Sequence, residues 1–265
     1  MGARVLITGA RGGIGTATTA ALRARGASVL GLDLEGDGAD VLACDVRDQA
    51  AVDAAVAEAV ARLGGLDVLI NNAGLGTPQS AGDAPDDAAL AVIDVNLLGP
   101  WRVTAAALPA LREARGRVIN VASGLAHVTV PFAVAYQMSK RGLVGYSDAL
   151  RLEHGDAITV TSVYPGYIRT PIHDAGRALG VGLEGSVPPE SVRDAAATLV
   201  RAALGPPARD LATTRRGGVA LLVARHVPRR ALDRALRGRI RRLARNGHFD
   251  DSPLAAPLGR RLRDG

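Results

Sequence analysis

Arg4-Val-Leu-Ile-Thr8, then Gly9-Ala-Arg-Gly-Gly-Ile-Gly15, then Thr16-Ala-Thr-Thr-Ala-Ala-Leu-Arg-Ala-Arg25 is the stretch that decides the fold. The short apolar run predicts a strand, the glycines a tight turn, and the alanine-rich stretch a helix. Glycines permit positive φ and close backbone approach. The helix behind them offers unpaired N–H groups and the positive end of its dipole, a combination that suits a pyrophosphate. The spacing Gly9-xxx-Gly13-x-Gly15 is not GxGxxG, and a glycine cluster alone also fits an ordinary turn. Its position between a strand and a helix favours the binding reading.

The pattern repeats outward from there. Residues 28–32 predict a second strand ending at Asp33, 41–44 a third ending at Asp45, and 67–70 a fourth delivered into Asn71-Asn72-Ala73-Gly74. Residues 117–121, 158–163 and 209–214 predict a fifth, a sixth and a seventh, edge strand. Between them, Asp48 can cap a helix that runs to Leu63 and stops at Gly64-Gly65. Helical sequence also covers about 85–112, with a bend at Gly99-Pro100, and then 136–154 and 188–204. Strands alternating with helices at this spacing imply an α/β fold, a Rossmann-type doubly wound parallel sheet in a three-layer α/β/α arrangement.

Composition narrows the class. The 265 residues are 48% hydrophobic, so the chain can build a core and is not disordered as a whole. The single cysteine, Cys44, excludes an intramolecular disulfide and fits a reducing, cytoplasmic setting. Five scattered histidines without a CxxC give no metal site. No signal peptide is expected, and no run is long enough to span a membrane. The net charge of +6 is unevenly placed: residues 1–200 hold 16 basic and 21 acidic side chains, residues 201–265 hold 16 and 5. Of all the basic residues only Lys140 is a lysine. In an arginine-biased chain, such a position asks for a compact ammonium on a flexible stem.

Three placements carry chemistry. Asp33, 18 residues after Gly15, can accept both adenosine ribose hydroxyls and repels a 2′-phosphate, although Glu35 and Asp37 beside it also fit a solvated turn. Arg11 in the glycine turn points the other way, toward a 2′-phosphate; Asp33 weighs more, so NAD is expected over NADP. Tyr136-Gln-Met-Ser-Lys140 puts a phenol and an ammonium on one helix face within about 6 Å. A free phenol titrates near about 10, and bringing it to 7 takes about 4 kcal/mol, more than one ammonium supplies. The positive nicotinamide ring of an oxidised cofactor is the expected second contributor.

With these residues on the page, the chain resembles the short-chain dehydrogenase/reductase family over about residues 3–205. The motifs occur in the family's order: Thr8-Gly9-xxx-Gly13-x-Gly15, Asn71-Asn72-Ala73-Gly74, Asn96, Ser123, Tyr136-xxx-Lys140 and Pro165-Gly166. Ser123 stands 13 residues before Tyr136. The resemblance implies Tyr136 as general acid/base, Lys140 holding the nicotinamide ribose and lowering the Tyr136 pKa, Ser123 on the substrate oxygen, and Asn96 holding a water in a proton relay. It places Gly9, Gly13, Ile14 and Gly15 on the pyrophosphate, Asp45 and Val46 beside adenine, Asn72, Ala73 and Gly74 at the ribose and ring edge, and Ile168 and Thr170 on the carboxamide. It also implies a homodimer or homotetramer paired through helices 96–113 and 136–154. Two departures are small: Ala122 replaces a common serine, and Arg11 sits one position early for the usual 2′-phosphate ligand.

The expected organisation is a dinucleotide-binding and catalytic Rossmann domain over 1–205, with a substrate lid at about 171–187. An edge strand and an arginine-rich amphipathic helical extension follow over 206–265. Val128, Val130, Phe132 and the lid should line an apolar substrate cleft, with His173 and Asp174 as polar handles or as plain surface groups, and His127 equally open. In the tail, Leu232, Leu236, Ile240 and Leu243 form one helical stripe among arginines, within two helices broken at Pro228. The stripe can pack on the body or on a partner subunit, insert into an anionic membrane surface as a peripheral contact, or accompany nucleic-acid contact. The lack of stacking aromatics speaks against nucleic acid. The expected function is NAD(H)-dependent interconversion of a secondary alcohol and ketone on a hydrophobic, terpenoid- or steroid-like small molecule. The alternatives are an NADPH-dependent carbonyl or 3-oxoacyl reductase and a non-catalytic NAD-sensing or membrane-recruited binding protein.

Overall fold

The first strand is buried on both faces: Val5, Leu6 and Ile7 in β1 (Arg4–Thr8) are fully shielded from solvent, as only a strand with helices on either side can be. The computed structural model describes residues 2–182 and 189–264. In it β1 sits centrally in a seven-stranded, all-parallel sheet with β2 (Ser28–Asp33), β3 (Val41–Ala43), β4 (Val68–Asn71), β5 (Arg117–Val121), β6 (Thr159–Tyr164) and β7 (Asp210–Ala212). The order is β3-β2-β1-β4-β5-β6-β7, so the winding reverses between β1 and β4 and opens a crevice at the carboxyl ends of those strands. Helices α1 (Gly13–Arg23) and α7 (Val192–Leu204) cover one face through Leu22, Leu199 and Val200. Helices α2 (Gln49–Leu63), α4 (Gly99–Glu113) and α5 (Val134–His154) cover the other through Val52, Leu111 and Leu150.

Local chemistry sets several boundaries where the sequence expects them. The Asp48 side chain accepts from the Ala50 and Ala51 N–H groups at the start of α2, and Gly64 ends that helix at φ +70°. The helical stretch before β5 differs. It starts at α3 (Asp87–Ile93), capped by Asp86, and its irregularity is a π-helical turn over Asp94–Leu98 rather than a bend at Gly99-Pro100. Proline explains the shift. Pro100 has no N–H for the Asn96 carbonyl four residues earlier, and Gly99 donates five residues back to Asp94. Helix α7 begins at Val192 behind a Ser191 cap, later than the expected start; residue 188 and lid positions 183–187 lie outside the described residues.

A buried polar chain fixes α5 against the sheet. Asn71 on β4 donates to Thr104 Oγ1 (3.0 Å) and Asn120 Oδ1 (2.8 Å), and Asn120 on β5 donates to Ser147 Oγ on α5 (2.8 Å). A buried, satisfied bond of this kind penalises any slip that would leave a polar group unpaired. It sets the register of the helix that carries Tyr136 and Lys140.

The tail folds as α8 (Arg215–His226), α9 (Arg229–Arg245) and α10 (Ala256–Asp264), with a short α6 (Asp174–Ala178) in the lid region. The apolar stripe of α9 turns inward. Ile240 and Leu243 pack with buried Ala244, Phe249 and Ala255, and this cluster reaches Phe132 and Val181 of the body. The tail therefore covers the body with the stripe that would otherwise enter lipid. Helix α10 has no counterpart in the sequence reading: a nine-residue segment that opens on Ala256-Pro257 and carries Gly259 in its middle reads as a loop, although it is amphipathic once formed.

Candidate active site

The carboxyl end of β1 turns into the glycine segment, and at Gly9 and Gly15 the geometry leaves no room for a side chain. Gly9 has φ +65°, and a Cβ on it would lie 2.8 Å from Ala73 Cα; a Cβ on Gly15 would lie 2.1 Å from the Gly9 carbonyl oxygen. Helix α1 begins at Gly13 with no side-chain cap and no carboxylate in its first turn. Its free N–H groups therefore face the cleft that Gly12, Gly13 and Ile14 line, an anion cradle that fits a dinucleotide pyrophosphate. Thr8 Oγ1 accepts from the Asn72 and Ala73 N–H groups, and Asn72 Nδ2 donates to the Thr8 and Gly9 carbonyls (3.0 Å each). These bonds lock the Asn72–Gly74 turn against the glycines.

Asp33 ends β2 at the cleft wall. Its carboxylate accepts from the main-chain N–H groups of Arg11 and Leu34, both at 2.8 Å. Arg11 is placed differently from expectation: its guanidinium reaches the Glu35 carbonyl and does not line the cleft, so only its main chain shapes the site. Asp45 and Val46 line the same end. Arg47 grips the Asp45 carboxylate at 2.6 Å and holds its pKa below the usual range. Cys44 lies beneath them, its thiol pushed up to about 11 by burial, and is no nucleophile.

Tyr136 and Lys140 lie on one face of α5, with Lys140 Nζ 5.7 Å from the phenol ring centroid. Ser123, 8% exposed at the end of the β5 loop, hydrogen-bonds Tyr136 and also accepts from the Leu125 N–H. Lys140 is buried and donates to the Val121 carbonyl at 2.8 Å. Burial works against both charges. It raises the Tyr136 phenol, opposed by the Ser123 hydrogen bond, and lowers Lys140 to about 8. Among the protein's own groups, the expected lowering of the phenol by Lys140 is thus not the dominant effect, because the ammonium is itself desolvated and is bonded to Val121. Asn96 is fully buried in the π turn. Its Oδ1 accepts from the Leu75 N–H (2.7 Å), and its Nδ2 donates to the Leu75 carbonyl (2.8 Å) and Ser139 Oγ (3.2 Å). The side chain is spent on structure, and the carbonyl deprived of the Pro100 donor is its remaining acceptor.

The cradle and the Ser123, Tyr136 and Lys140 side chains share one cleft of about 1230 Å³, above the range of about 300–1,000 Å³ for a single-ligand pocket; Gly15 and Asn96 lie behind its surface and do not line it. Val128, Val130, Phe132, Pro165, Gly166, Ile168, Thr170 and His173 line it as expected. Asp174 does not: it pairs with Arg177 outside the cleft. His127 also faces elsewhere, toward Tyr164 and Arg225. Several residues escape a sequence reading. Gln137 clasps the cleft loop by accepting from the Val130 N–H and donating to its carbonyl; for Phe132, itself an expected lining residue, what the sequence hides is its φ of +60° beside Phe249. Leu221, Leu236, Ile240, Leu243 and Phe249 bring the tail into the wall. Of that group only Leu236, Ile240 and Leu243 carry a signal in the sequence, the apolar stripe of α9; Leu221 and Phe249 carry none.

Comparison with known proteins agrees with this geometry. A family model described as short chain dehydrogenase matches residues 3–178. The "Granaticin polyketide synthase putative ketoacyl reductase 1" of Streptomyces violaceoruber is 38% identical over 196 residues, 67% of this chain and 72% of that protein. The trans-4-hydroxycyclohexanecarboxylate dehydrogenase of Sinomonas cyclohexanicum is 35% identical over 67% of this chain and 76% of its own. A short chain dehydrogenase from Burkholderia cenocepacia J2315, crystallised with NADP, superposes with a TM-score of 0.76 at 28% identity, covering 89% of this chain and 97% of that one. Fold, cleft and relatives converge: the chain belongs to the short-chain dehydrogenase family and is an oxidoreductase of the alcohol–ketone class.

Proposed function

We propose that the protein interconverts a secondary alcohol and its ketone on a bulky apolar, terpenoid- or steroid-like molecule, with NAD(H) as the redox partner. The observation that carries this reading is the single cleft. It joins an anion cradle with a carboxylate at its far edge to a phenol and a serine facing a largely apolar wall, in which Arg216, Arg239 and Glu190 also take part.

Each residue has a role the geometry supports. The Tyr136 hydroxyl, kept protonated at neutral pH by burial, gives its proton to the substrate oxygen in reduction and takes it back in oxidation. Ser123 Oγ donates to that oxygen as it gains charge. Lys140 has three donors and spends one on Val121, which leaves the others for ribose hydroxyls. Gly9, Gly13, Ile14 and Gly15 hold the pyrophosphate, Asp33 the adenosine ribose, Asp45 and Val46 the adenine edge, and Asn72, Ala73 and Gly74 the ribose. Pro165, Gly166, Ile168 and Thr170 orient the carboxamide. Bound there, a nicotinamide supplies or accepts the hydride. Val130 and His173, with the tail, meet the substrate. In this reading residues 1–205 are the dinucleotide-binding and catalytic unit, and 206–265 complete the substrate wall. A homodimer or homotetramer formed through α4 and α5 would cover Trp101 and Leu152, which are 56% and 88% exposed.

Asp33 supports NAD: its carboxylate repels a 2′-phosphate, and exposed Leu34 follows it where a cation would favour one. A second reading, an NADPH-dependent carbonyl or 3-oxoacyl reductase, draws on the ketoacyl reductase relative and on the NADP carried by the Burkholderia neighbour. Turnover of cyclic and short-chain alcohols and ketones with both cofactors separates the two. The proposal expects at least about tenfold higher kcat/KM with NAD(H), the difference a charge clash of about 1.4 kcal/mol produces, and higher values for bulky substrates. A preference for NADP(H) and small or acyl ketones would establish the second reading.

A further inference from the structure

Helices α8 and α9 each have a face on the cleft, and what remains is their outside. On α8 the inner residues are Gly217, Leu221 and Ala224. The outer face carries Val219, Leu222 and Val223, exposed by 62%, 59% and 48%, spaced i, i+3 and i+4 on one side. On α9 the inner residues are Leu236, Arg239, Ile240 and Leu243. Its opposite face carries Arg230, Arg234, Arg237, Arg241 and Arg245, all exposed, at i, i+4, i+7, i+11 and i+15. That spacing aligns the five guanidinium groups in one stripe about 22 Å long. None of the five is in an ion pair among the described residues. From Arg215 to Arg245 the only carboxylate is Asp233.

A helix needs the inner face for packing; nothing in the fold needs a continuous arginine stripe or three exposed aliphatic side chains. We propose that the outer faces of α8 and α9 dock on an anionic lipid bilayer, the arginine stripe lying along the headgroups and Val219, Leu222 and Val223 entering the interface. Charge complementarity selects the occupant. A second copy presenting the same face would bring two arginine stripes together, which repel. Nucleic acid would call for stacking aromatics, and the outer faces of the two helices have none. A polybasic surface with adjacent aliphatic groups is the chemistry of an interfacial helix on acidic lipid. Of the stripe that the sequence suggested for insertion, Ile240 and Leu243 pack on the body and Leu236 lines the cleft; the exposed apolar group left for lipid is on α8 instead.

The test is sedimentation of the full chain, with NAD present, on vesicles of phosphatidylcholine alone or with about 30% phosphatidylglycerol, at about 0.05 M and 0.5 M salt. Binding is expected on the anionic vesicles only, at least tenfold weaker at high salt. Each arginine near such a surface is worth about fivefold in partitioning, so R234E/R237E/R241E should lose on the order of 100-fold or more. V219S/L222S/V223S should lose several-fold and keep the salt-sensitive part. Both variants alter exposed positions outside the cleft, and unchanged turnover of a water-soluble alcohol verifies their folding. No binding to anionic vesicles overturns the proposal, as does equal binding by the charge-reversed variant. It is also overturned if the arginine stripe proves to hold duplex DNA, an acidic protein or a second copy more tightly than the vesicles. The readout needs no redox turnover, so it stands or falls apart from the assignment of cofactor and substrate.

Discussion

The two halves of the cleft are built from different material. The dinucleotide half is mostly main chain: glycines at strand ends, the open N-terminus of α1, and the Asn72 turn bonded to Thr8 and Gly9. The proposed substrate half is mostly side chain, drawn from the 128–132 loop, from Ile172, His173 and Val181, and from a tail more than 200 residues away from the first glycine. Main-chain construction demands particular residues at fixed spacing, because only glycine fits where a Cβ would strike a carbonyl. Side-chain construction demands only apolar volume, which many sequences satisfy. The first half should therefore be intolerant of single changes and the second graded.

The largest contrast is expected at Lys140, which serves the dinucleotide half at a cost to the fold. Lys140→Met should lower turnover by about 10²–10⁴-fold, the span of a lost acid–base partner, read by steady-state kinetics. The same change should stabilise the protein near pH 7. Burial lowers the folded pKa to about 8 from an ordinary value of 10.5, so the folded state resists the proton the unfolded state accepts. That penalty is full below pH about 8 and gone above about 10.5. With the Val121 hydrogen bond lost, a net gain of about 1–2 kcal/mol is expected in denaturant melts at pH 7, fading as pH rises toward 10.5.

Gly15→Ala comes next. Its Cβ would fall 2.1 Å from the Gly9 carbonyl, so the cradle must distort. Cofactor affinity measured by calorimetry should fall about 10–100-fold, with a loss of stability of about 1–3 kcal/mol. Unchanged binding would mean the cradle is elsewhere. Asp33→Asn sharpens the comparison within the dinucleotide half: removing the carboxylate charge should move the NAD/NADP ratio of kcat/KM about tenfold toward NADP. In the substrate half, Ile240→Ala should raise KM for a bulky alcohol only about three- to tenfold, the effect of two to three methylenes in a part-exposed wall, and leave cofactor affinity unchanged. A large cofactor effect there would dissolve the distinction between the halves.

The same division governs what can be read from the chain itself. The β1–turn–α1 unit, the Asp48 cap with Gly64, and the Tyr136/Lys140 pair are legible because local chemistry or helical spacing fixes them. The irregularity before Pro100 is legible from the missing N–H, but not that Asn96 in the π turn at Asp94–Leu98 is held by Leu75 and Ser139, which are distant in sequence. Gln137 reads as one more polar helix residue until the loop it clasps is in place. The arginine turn Arg11 misleads because its position suggests a side-chain contact where only its N–H contributes. The opposed effects of burial on Tyr136 and Lys140 are likewise invisible in spacing, since a four-residue interval says nothing about solvent.

The account centres on Tyr136 as the group that exchanges a proton with the substrate oxygen. Single-turnover hydride transfer, followed by reduced-nicotinamide absorbance at saturating cofactor, tests it in wild type and Tyr136→Phe. A fall of at least about 10²-fold with cofactor affinity unchanged is the predicted result, since the phenyl ring keeps the packing and removes only the exchangeable proton. A transfer rate within about threefold of wild type would contradict it.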